Sequence, residues 1–295
     1  MTDIARLGVL GAGQMGSGIA QVAATAGIAV VVRDLEEGML ARGQGAIRAS
    51  LDKLVEKARL DSGARDAALA RLTFTTDLGD LADCDLVIEA VPEDLRLKTD
   101  LWRALDPLVP PPTIFASNTS SLSIGDMAAA TERADRFVGL HFFNPVPLMP
   151  LVEVVRAVAT SEATVATALA FVRRLGKEPI TARDQSGFVV NRLLVPYLLD
   201  AVRAFEDGTA TATDIDRGMQ LGAGHPMGPL ALLDFIGLDT VARIAAIMLE
   251  EYDEPRFAPP PLLRRMVAAG LYGRKSGRGF YDYSVDPPAP TDFGP

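Results

Sequence analysis

The run Leu7-Gly8-Val9-Leu10-Gly11-Ala12-Gly13-Gln14-Met15-Gly16 decides how the chain begins to fold. A short apolar strand-like stretch leads into Gly11, Gly13 and Gly16, and a segment of helical composition, Gln14–Ala26, follows. Gly11 allows a tight turn, Gly13 lets backbone approach a pyrophosphate, and Gly16 lets the helix pack closely on the strand. The helix start, with Gln14 and Met15 in its first turn, offers free N–H groups and a positive dipole end to phosphates. Asp34 ends the next strand-like run, Ala29–Val32, about 20 residues on, where a carboxylate accepts ribose hydroxyls. Gly11, Gly13, Gln14, Met15, Gly16 and Asp34 therefore read as a dinucleotide site. The Asp34 charge repels a 2′-phosphate, which favours NAD over NADP. Arg33 is adjacent, but neighbouring strand residues point to opposite faces.

Outward from this run the pattern repeats. Leu86–Ala90 and Thr113–Ala116 are further short apolar stretches, and Glu36–Leu60 and Asp94–Leu105 are helical in length and composition. Continuously apolar strands are those buried on both faces of a parallel sheet. Phe137–Leu140, Leu151–Val155, a helix near Ala163–Leu175 and a strand near Glu178–Thr181 continue the series. The expected fold is α/β, a Rossmann-type doubly wound sheet over residues 1–183. An all-α C-terminal domain is expected over 184–295. Gly187–Glu206 is apolar nearly all round (Phe188, Val189, Leu193, Leu194, Leu198, Leu199, Val202, Phe205), so both sides should be covered, and Pro196 should kink it. A helix is expected from near Thr213, capped by its hydroxyl and Asp216, with others at Pro229–Phe235, Thr240–Glu251 and Pro261–Ala269. Residues 287–295 read as a loose tail.

Composition narrows the function. Among 295 residues, 48% are hydrophobic, ample for packed cores and incompatible with a disordered chain. Thirty-eight acidic against 29 basic residues leave a formal charge of −9, which argues against nucleic acid or an anionic membrane as partner. Cys84 is the single cysteine, so neither an intramolecular disulfide nor a cysteine-built metal site is expected. The start of the chain lacks the basic and apolar regions of a signal peptide, and no run reaches about 18 apolar residues. A cytoplasmic protein is the expectation.

Hydride transfer from an alcohol carbon needs a base for the hydroxyl proton, and histidine is suited to it near neutral pH. Of the two histidines, His225 in Gly224-His225-Pro226 reads as a turn residue. His141 ends a strand and is followed by Phe142-Phe143-Asn144-Pro145. Glu153 lies within the apolar strand Leu151-Val152-Glu153-Val154-Val155, where a carboxylate is costly without a partner. His141 is the natural partner, since a His–Glu pair orients the ring and stabilises the cation formed on proton uptake.

The chain resembles the L-3-hydroxyacyl-CoA dehydrogenase family, with the short bacterial 3-hydroxybutyryl-CoA dehydrogenases nearest. The resemblance is carried by Gly11–Gly16, Phe115-Ala116-Ser117-Asn118-Thr119-Ser120-Ser121, Gly139–Pro145, Gly187-Phe188-Val189-Val190-Asn191-Arg192 and Pro226-Met227-Gly228-Pro229, in the family's order. It implies that His141 is the acid/base and Glu153 its partner. Ser120 would touch the substrate oxygen near the nicotinamide, and the Asn191 amide would hold the same oxygen. Glu93, Lys98, Asn144 and Lys275 match cofactor contacts, and Ser50 and Lys57 match CoA contacts. Met149-Pro150 departs from the Met-Lys often seen before the Glu-bearing strand. The resemblance further implies fatty acid metabolism, an acyl-CoA substrate and a homodimer joined through the C-terminal domain. Two other readings are a dehydrogenase of a carrier-protein-bound or free hydroxy acid, and a non-catalytic nucleotide-binding structural protein.

Overall fold

Apolar strands stack side by side because helices cover both faces of the sheet they form. The computed structural model describes residues 3–291, and the chain divides into two units between Phe188 and Val189. The first unit opens with β1 (Arg6–Leu10), α1 (Gln14–Thr25), β2 (Ala29–Arg33), α2 (Glu37–Glu56), α3 (Ser62–Ala70) and β3 (Leu72–Thr75). Next come β4 (Leu86–Glu89), α4 (Leu95–Leu105), β5 (Ile114–Ser117), α5 (Ile124–Ala128) and β6 (Phe137–Phe142). The sheet is completed by β7 (Leu151–Arg156), α6 (Glu162–Arg174) and β8 (Glu178–Arg183). Strand order is β3-β2-β1-β4-β5-β6-β7-β8. Every neighbouring pair is parallel except β6 and β7, which are antiparallel.

This is the expected doubly wound sheet, and the two-residue period of a strand shows in its two cores. Leu7, Val9, Val30 and Val32 enter one core with Ile19 of α1 and Leu40, Ile47 and Leu51 of α2. Leu10, Val31 and Val87 enter the other with Trp102 of α4, Phe115 and Phe137. Strand order reverses direction at β1, between β2 and β4, the switch point at which such sheets bind ligands beyond their carboxyl ends.

The first unit differs from expectation around α2 and at β3, and it adds the short helix α5. The helix read as running to Leu60 ends at Glu56, and a separate α3 begins where the Asp61 carboxylate accepts from Ala64 N at 2.9 Å. β3 was not anticipated, because Leu-Thr-Phe-Thr is short and half-polar, as suits the edge strand it forms beside β2.

The second unit contains α7 (Val190–Glu206), α8 (Ala212–Ala223), α9 (Pro229–Ile236), α10 (Leu238–Tyr252) and α11 (Pro261–Ala268), with short paired strands β9 (Tyr281–Asp282) and β10 (Ala289–Pro290). Helix α7 continues through Pro196, and its Leu198, Leu199 and Val202 are buried with Leu230, Leu233, Val241, Met248 and Phe257 of the same unit. Its own chain thus covers that face, while Leu193 stays 71% exposed. The cap of α8 is Thr211, two residues earlier than expected, accepting from Asp214 N at 3.1 Å. Asp216 is buried instead and caps α9, accepting from Leu230 N at 2.7 Å and Ala231 N at 2.9 Å. The tail expected to be loose is tied down in part. Ala289–Pro290 pairs with Tyr281–Asp282, and Thr291 N donates to Phe280 O at 2.9 Å; residues 292–295 lie outside the described residues. Among the described residues no helix is long and apolar enough to cross a membrane.

Trp102 anchors the second core, stacked on Phe115 at 4.6 Å and edge-on to Phe137 at 5.0 Å between ring centroids. Trp102→Ala should lower the stability of the first unit by about 3–5 kcal/mol, the usual cost of truncating a buried aromatic. Urea unfolding followed by circular dichroism measures this, and an unchanged midpoint would contradict it.

Candidate active site

The glycine turn is shaped by steric limits. Gly11 has φ +101°, and a Cβ on Gly16 would lie 1.9 Å from the Gly11 carbonyl oxygen. At Gly13, by contrast, a Cβ would meet nothing within 4 Å. Gly13 is also the N-cap of α1 and provides no side-chain cap, so the first N–H groups of that helix remain for a ligand. The Asp34 carboxylate lies beside this turn, accepting from Ala12 N and Leu35 N, each at 2.7 Å. Each of its oxygens keeps lone-pair capacity for a hydroxyl. The Arg33 guanidinium is drawn to the edge of the sheet, where Nε donates to Thr76 O at 3.2 Å.

A buried charge cluster occupies the carboxyl ends of β4 and β5. Glu89 accepts from Lys98 Nζ at 2.6 Å, Val91 N at 2.7 Å and Ser117 Oγ at 2.6 Å. Lys98 Nζ also lies 3.1 Å from Glu93 Oε2. Glu93 Oε1 accepts from Thr119 Oγ1, from Ser120 N at 3.2 Å and from Ser121 Oγ at 3.2 Å. Burial alone would raise the Glu93 carboxyl, but the Lys98 ammonium, the Thr119 hydroxyl and Ser120 N–H outweigh it and hold the group below the usual range. Lys98 is only 1% exposed, its ammonium enclosed between the Glu89 and Glu93 carboxylates.

The third group comes from the antiparallel pair. In the β6–β7 register His141 faces Glu153, and His141 Nδ1 lies 2.6 Å from Glu153 Oε2. A carboxylate only accepts, so Nδ1 carries the hydrogen, and in the neutral ring Nε2 is left as the acceptor. Phe143 and Phe188 flank the imidazole at 4.5 and 5.6 Å between centroids. Asn118 Oδ1 accepts from Phe142 N at 2.9 Å, which ties the Ser120 loop to the end of the His141 strand. Lys177 Nζ donates to Val146 O at 2.6 Å and Met149 O at 2.7 Å, fixing the turn between β6 and β7 from beneath. Burial pushes the Lys177 ammonium down.

Comparison with known proteins gives the family. The 3-hydroxyacyl-CoA dehydrogenase NAD binding domain matches residues 6–185, and the C-terminal domain of the same family matches 187–283. The chain belongs to the 3-hydroxyacyl-CoA dehydrogenase family. It is 53% identical over 286 residues to a 3-hydroxybutyryl-CoA dehydrogenase of Mycobacterium tuberculosis, covering 96% of this chain and 100% of that one. The mitochondrial hydroxyacyl-coenzyme A dehydrogenase of Sus scrofa is 47% identical, covering 93% of this chain and 90% of the relative. The crystal structure of (S)-3-hydroxybutyryl-CoA dehydrogenase from Ralstonia eutropha superposes with a TM-score of 0.92 at 46% identity, over 96% of this chain and 100% of that one.

The residues present suit the family's NAD. The open space at Gly13, the uncapped start of α1 and the Asp34 carboxylate form a cradle that a side chain at Gly13 would fill. Other positions named from sequence are spread more widely. Gln14 is exposed, and Met15 packs partly against the first core. Ser50 is half-buried on α2, Lys57 is its exposed C-cap, and Asn144 is exposed after β6. Asn191 and Lys275 belong to the second unit. There Asn191 lies in the first turn of α7, and Lys275 Nζ donates to Asp239 Oδ2 at 2.7 Å. His225 Nδ1 lies 3.0 Å from Tyr197 Oη, so the turn residue has a definite partner.

Glu89, Asn118 and Lys177 escaped the sequence reading. Glu89 ends Leu-Val-Ile-Glu, and the argument applied to Glu153, a carboxylate closing an apolar strand, would have found it. No sequence signal marks Lys177, whose partners are backbone carbonyls distant in the chain. Gly13→Val should leave stability within about 1 kcal/mol, since φ −70° suits any residue there. It should weaken NADH binding by about tenfold or more, because the side chain fills the space for phosphate. Fluorescence titration beside thermal unfolding checks both, and unchanged affinity would remove the phosphate site from this turn.

Proposed function

We propose that this protein interconverts (S)-3-hydroxyacyl-CoA and 3-oxoacyl-CoA with NAD(H), 3-hydroxybutyryl-CoA being its short-chain substrate. The observation that carries the reading is the 2.6 Å contact between His141 Nδ1 and Glu153 Oε2 on the sheet edge that also bears Ser120. Oxidation of the alcohol removes a hydride from C3 and a proton from its hydroxyl. Bound NAD supplies the hydride acceptor. His141 Nε2 takes the proton, and Glu153 holds the ring in the required tautomer and balances the cation that forms. Ser120 orients the substrate oxygen from the loop anchored by Glu93 and Asn118. In the reverse direction the imidazolium returns the proton to the developing alkoxide. Ser50 and Lys57, seven residues apart on α2, are assigned to CoA, where a lysine suits a phosphate. The resemblance alone assigns the Asn191 amide to the substrate oxygen and Lys275 to the cofactor.

The same reading makes the protein a cytoplasmic homodimer joined through its second unit. Leu193, Leu221 and Phe235 on α7, α8 and α9 are exposed and are the large apolar side chains such an interface would cover. Leu198 and Val202 are not among them, because the unit's own helices already bury them.

His141→Gln should lower kcat by roughly 10²–10⁴ with NADH affinity little changed, the usual contribution of a general acid–base. Glu153→Gln should also lower kcat, since it keeps the shape and removes the charge. Acetoacetyl-CoA reduction followed by NADH absorbance measures both, and near-normal turnover of His141→Gln across pH would overturn the assignment. Light scattering over a dilution series should give about twice the chain mass of 31.3 kDa. A concentration-independent monomer mass would refute the dimer.

A further inference from the structure

Glu89, Glu93 and Lys98 make an unequal cluster, with two carboxylates around one ammonium. Glu89 is fully buried and its contacts come from the Lys98 ammonium, Val91 N–H and the Ser117 hydroxyl. Each of these contacts presents a donor to the Glu89 oxygens, the complement of an acceptor-only carboxylate. Glu93 is held ionised by the Lys98 ammonium and by donors from Thr119, Ser120 and Ser121. The cluster therefore keeps one negative charge in excess. A purely structural ion pair would need only one carboxylate, because burying a second costs desolvation without a second cation to repay it.

The position of the excess charge gives it a use. Glu93 is the cluster's most exposed member, with 20% of its side chain accessible, and it accepts directly from Ser120 N. Asn118, in the same loop, is hydrogen-bonded to the end of the strand that carries His141. The charge thus lies directly behind the loop of the reacting centre. The nicotinamide ring is positive when oxidised and neutral when reduced, so a fixed negative charge nearby distinguishes the two forms.

We propose that Glu89, acting through Lys98 and Glu93, is a positioning residue that maintains a net negative charge behind the Ser120 loop and so favours binding of NAD+ relative to NADH. This rests on the reading of the chain as an NAD-dependent dehydrogenase and deepens it. When hydride arrives, the ring loses its charge and with it this attraction, which favours release of the reduced cofactor after alcohol oxidation. The second carboxylate thereby tunes the oxidised–reduced balance, beyond holding the fold.

The test is equilibrium binding of both cofactor forms to the full chain at low ionic strength, NADH by its fluorescence and NAD+ by competition. Glu89→Gln should raise the ratio of Kd for NAD+ to Kd for NADH by about tenfold, the scale of one charge acting on another in a partly screened site. Glu93→Gln should move the ratio in the same direction. Glu89→Asp, which keeps the charge, should hold the wild-type ratio even if both affinities weaken. Equal weakening of both forms in Glu89→Gln and Glu93→Gln, or a shift in Glu89→Asp matching that of Glu89→Gln, would overturn the proposal. Should Glu89→Gln fail to fold by circular dichroism, the ratio in Glu93→Gln decides alone. A wild-type chain that binds neither form would defeat the dehydrogenase reading itself.

Discussion

A single reversal of strand direction brings His141 and Glu153 together. Strands β1 to β6 run parallel, and β7 turns back against β6 with Leu140 opposite Val154 and His141 opposite Glu153. Directly opposed residues in an antiparallel pair share a face, with Cβ atoms about 4.5–5.5 Å apart. A shift of β7 by one residue would send Glu153 to the other face of the sheet and part it from the imidazole. The surrounding contacts protect that register. Lys177 binds the carbonyls of the reversing turn, and Asn118 holds Phe142 N at the end of β6.

Buried carboxylates recur across the molecule, but their partners separate two kinds of work. In the second unit Asp216 caps the start of α9. Asp234 accepts from Phe280 N and Tyr281 N and from the Tyr283 hydroxyl. Burial raises the Asp234 carboxyl despite these donors. Such groups satisfy backbone N–H donors and knit helices to the closing segment. Glu89 and Glu153 instead close on a lysine and a histidine at or near the carboxyl edge of the sheet.

How much could be read in advance depended on whether the controlling interactions were local. The glycine turn, Asp34 and the alternation of strands and helices follow from spacing within about 30 residues, so the doubly wound sheet was legible. The His141–Glu153 pairing was also legible, because a lone carboxylate among valines demands a hydrogen-bonding partner and few candidates existed. Edge strand β3, the break at Lys57 and the cap at Thr211 are not legible in this way, since short polar segments fit several local structures equally well. Lys98 offered no sign of burial, because its stem and charge resemble those of any helix-surface lysine.

The sequence by itself determined which residues must find partners. Glu153 and Glu89 cannot sit in apolar strands unpaired, and the helix start after Gly13 cannot leave its N–H groups without a ligand or water. Only the tertiary structure decided the remaining assignments. It gave Lys98 two carboxylates, placed the β6–β7 turn over Lys177, sent Asp216 to α9 and wrapped Leu198 and Val202 inside their own unit. The physical reason is that hydrogen-bonding demand and apolarity are properties of a residue and its neighbours. Which distant group meets that demand depends on strand order and helix packing, and those are fixed only when the whole chain has found its lowest free energy.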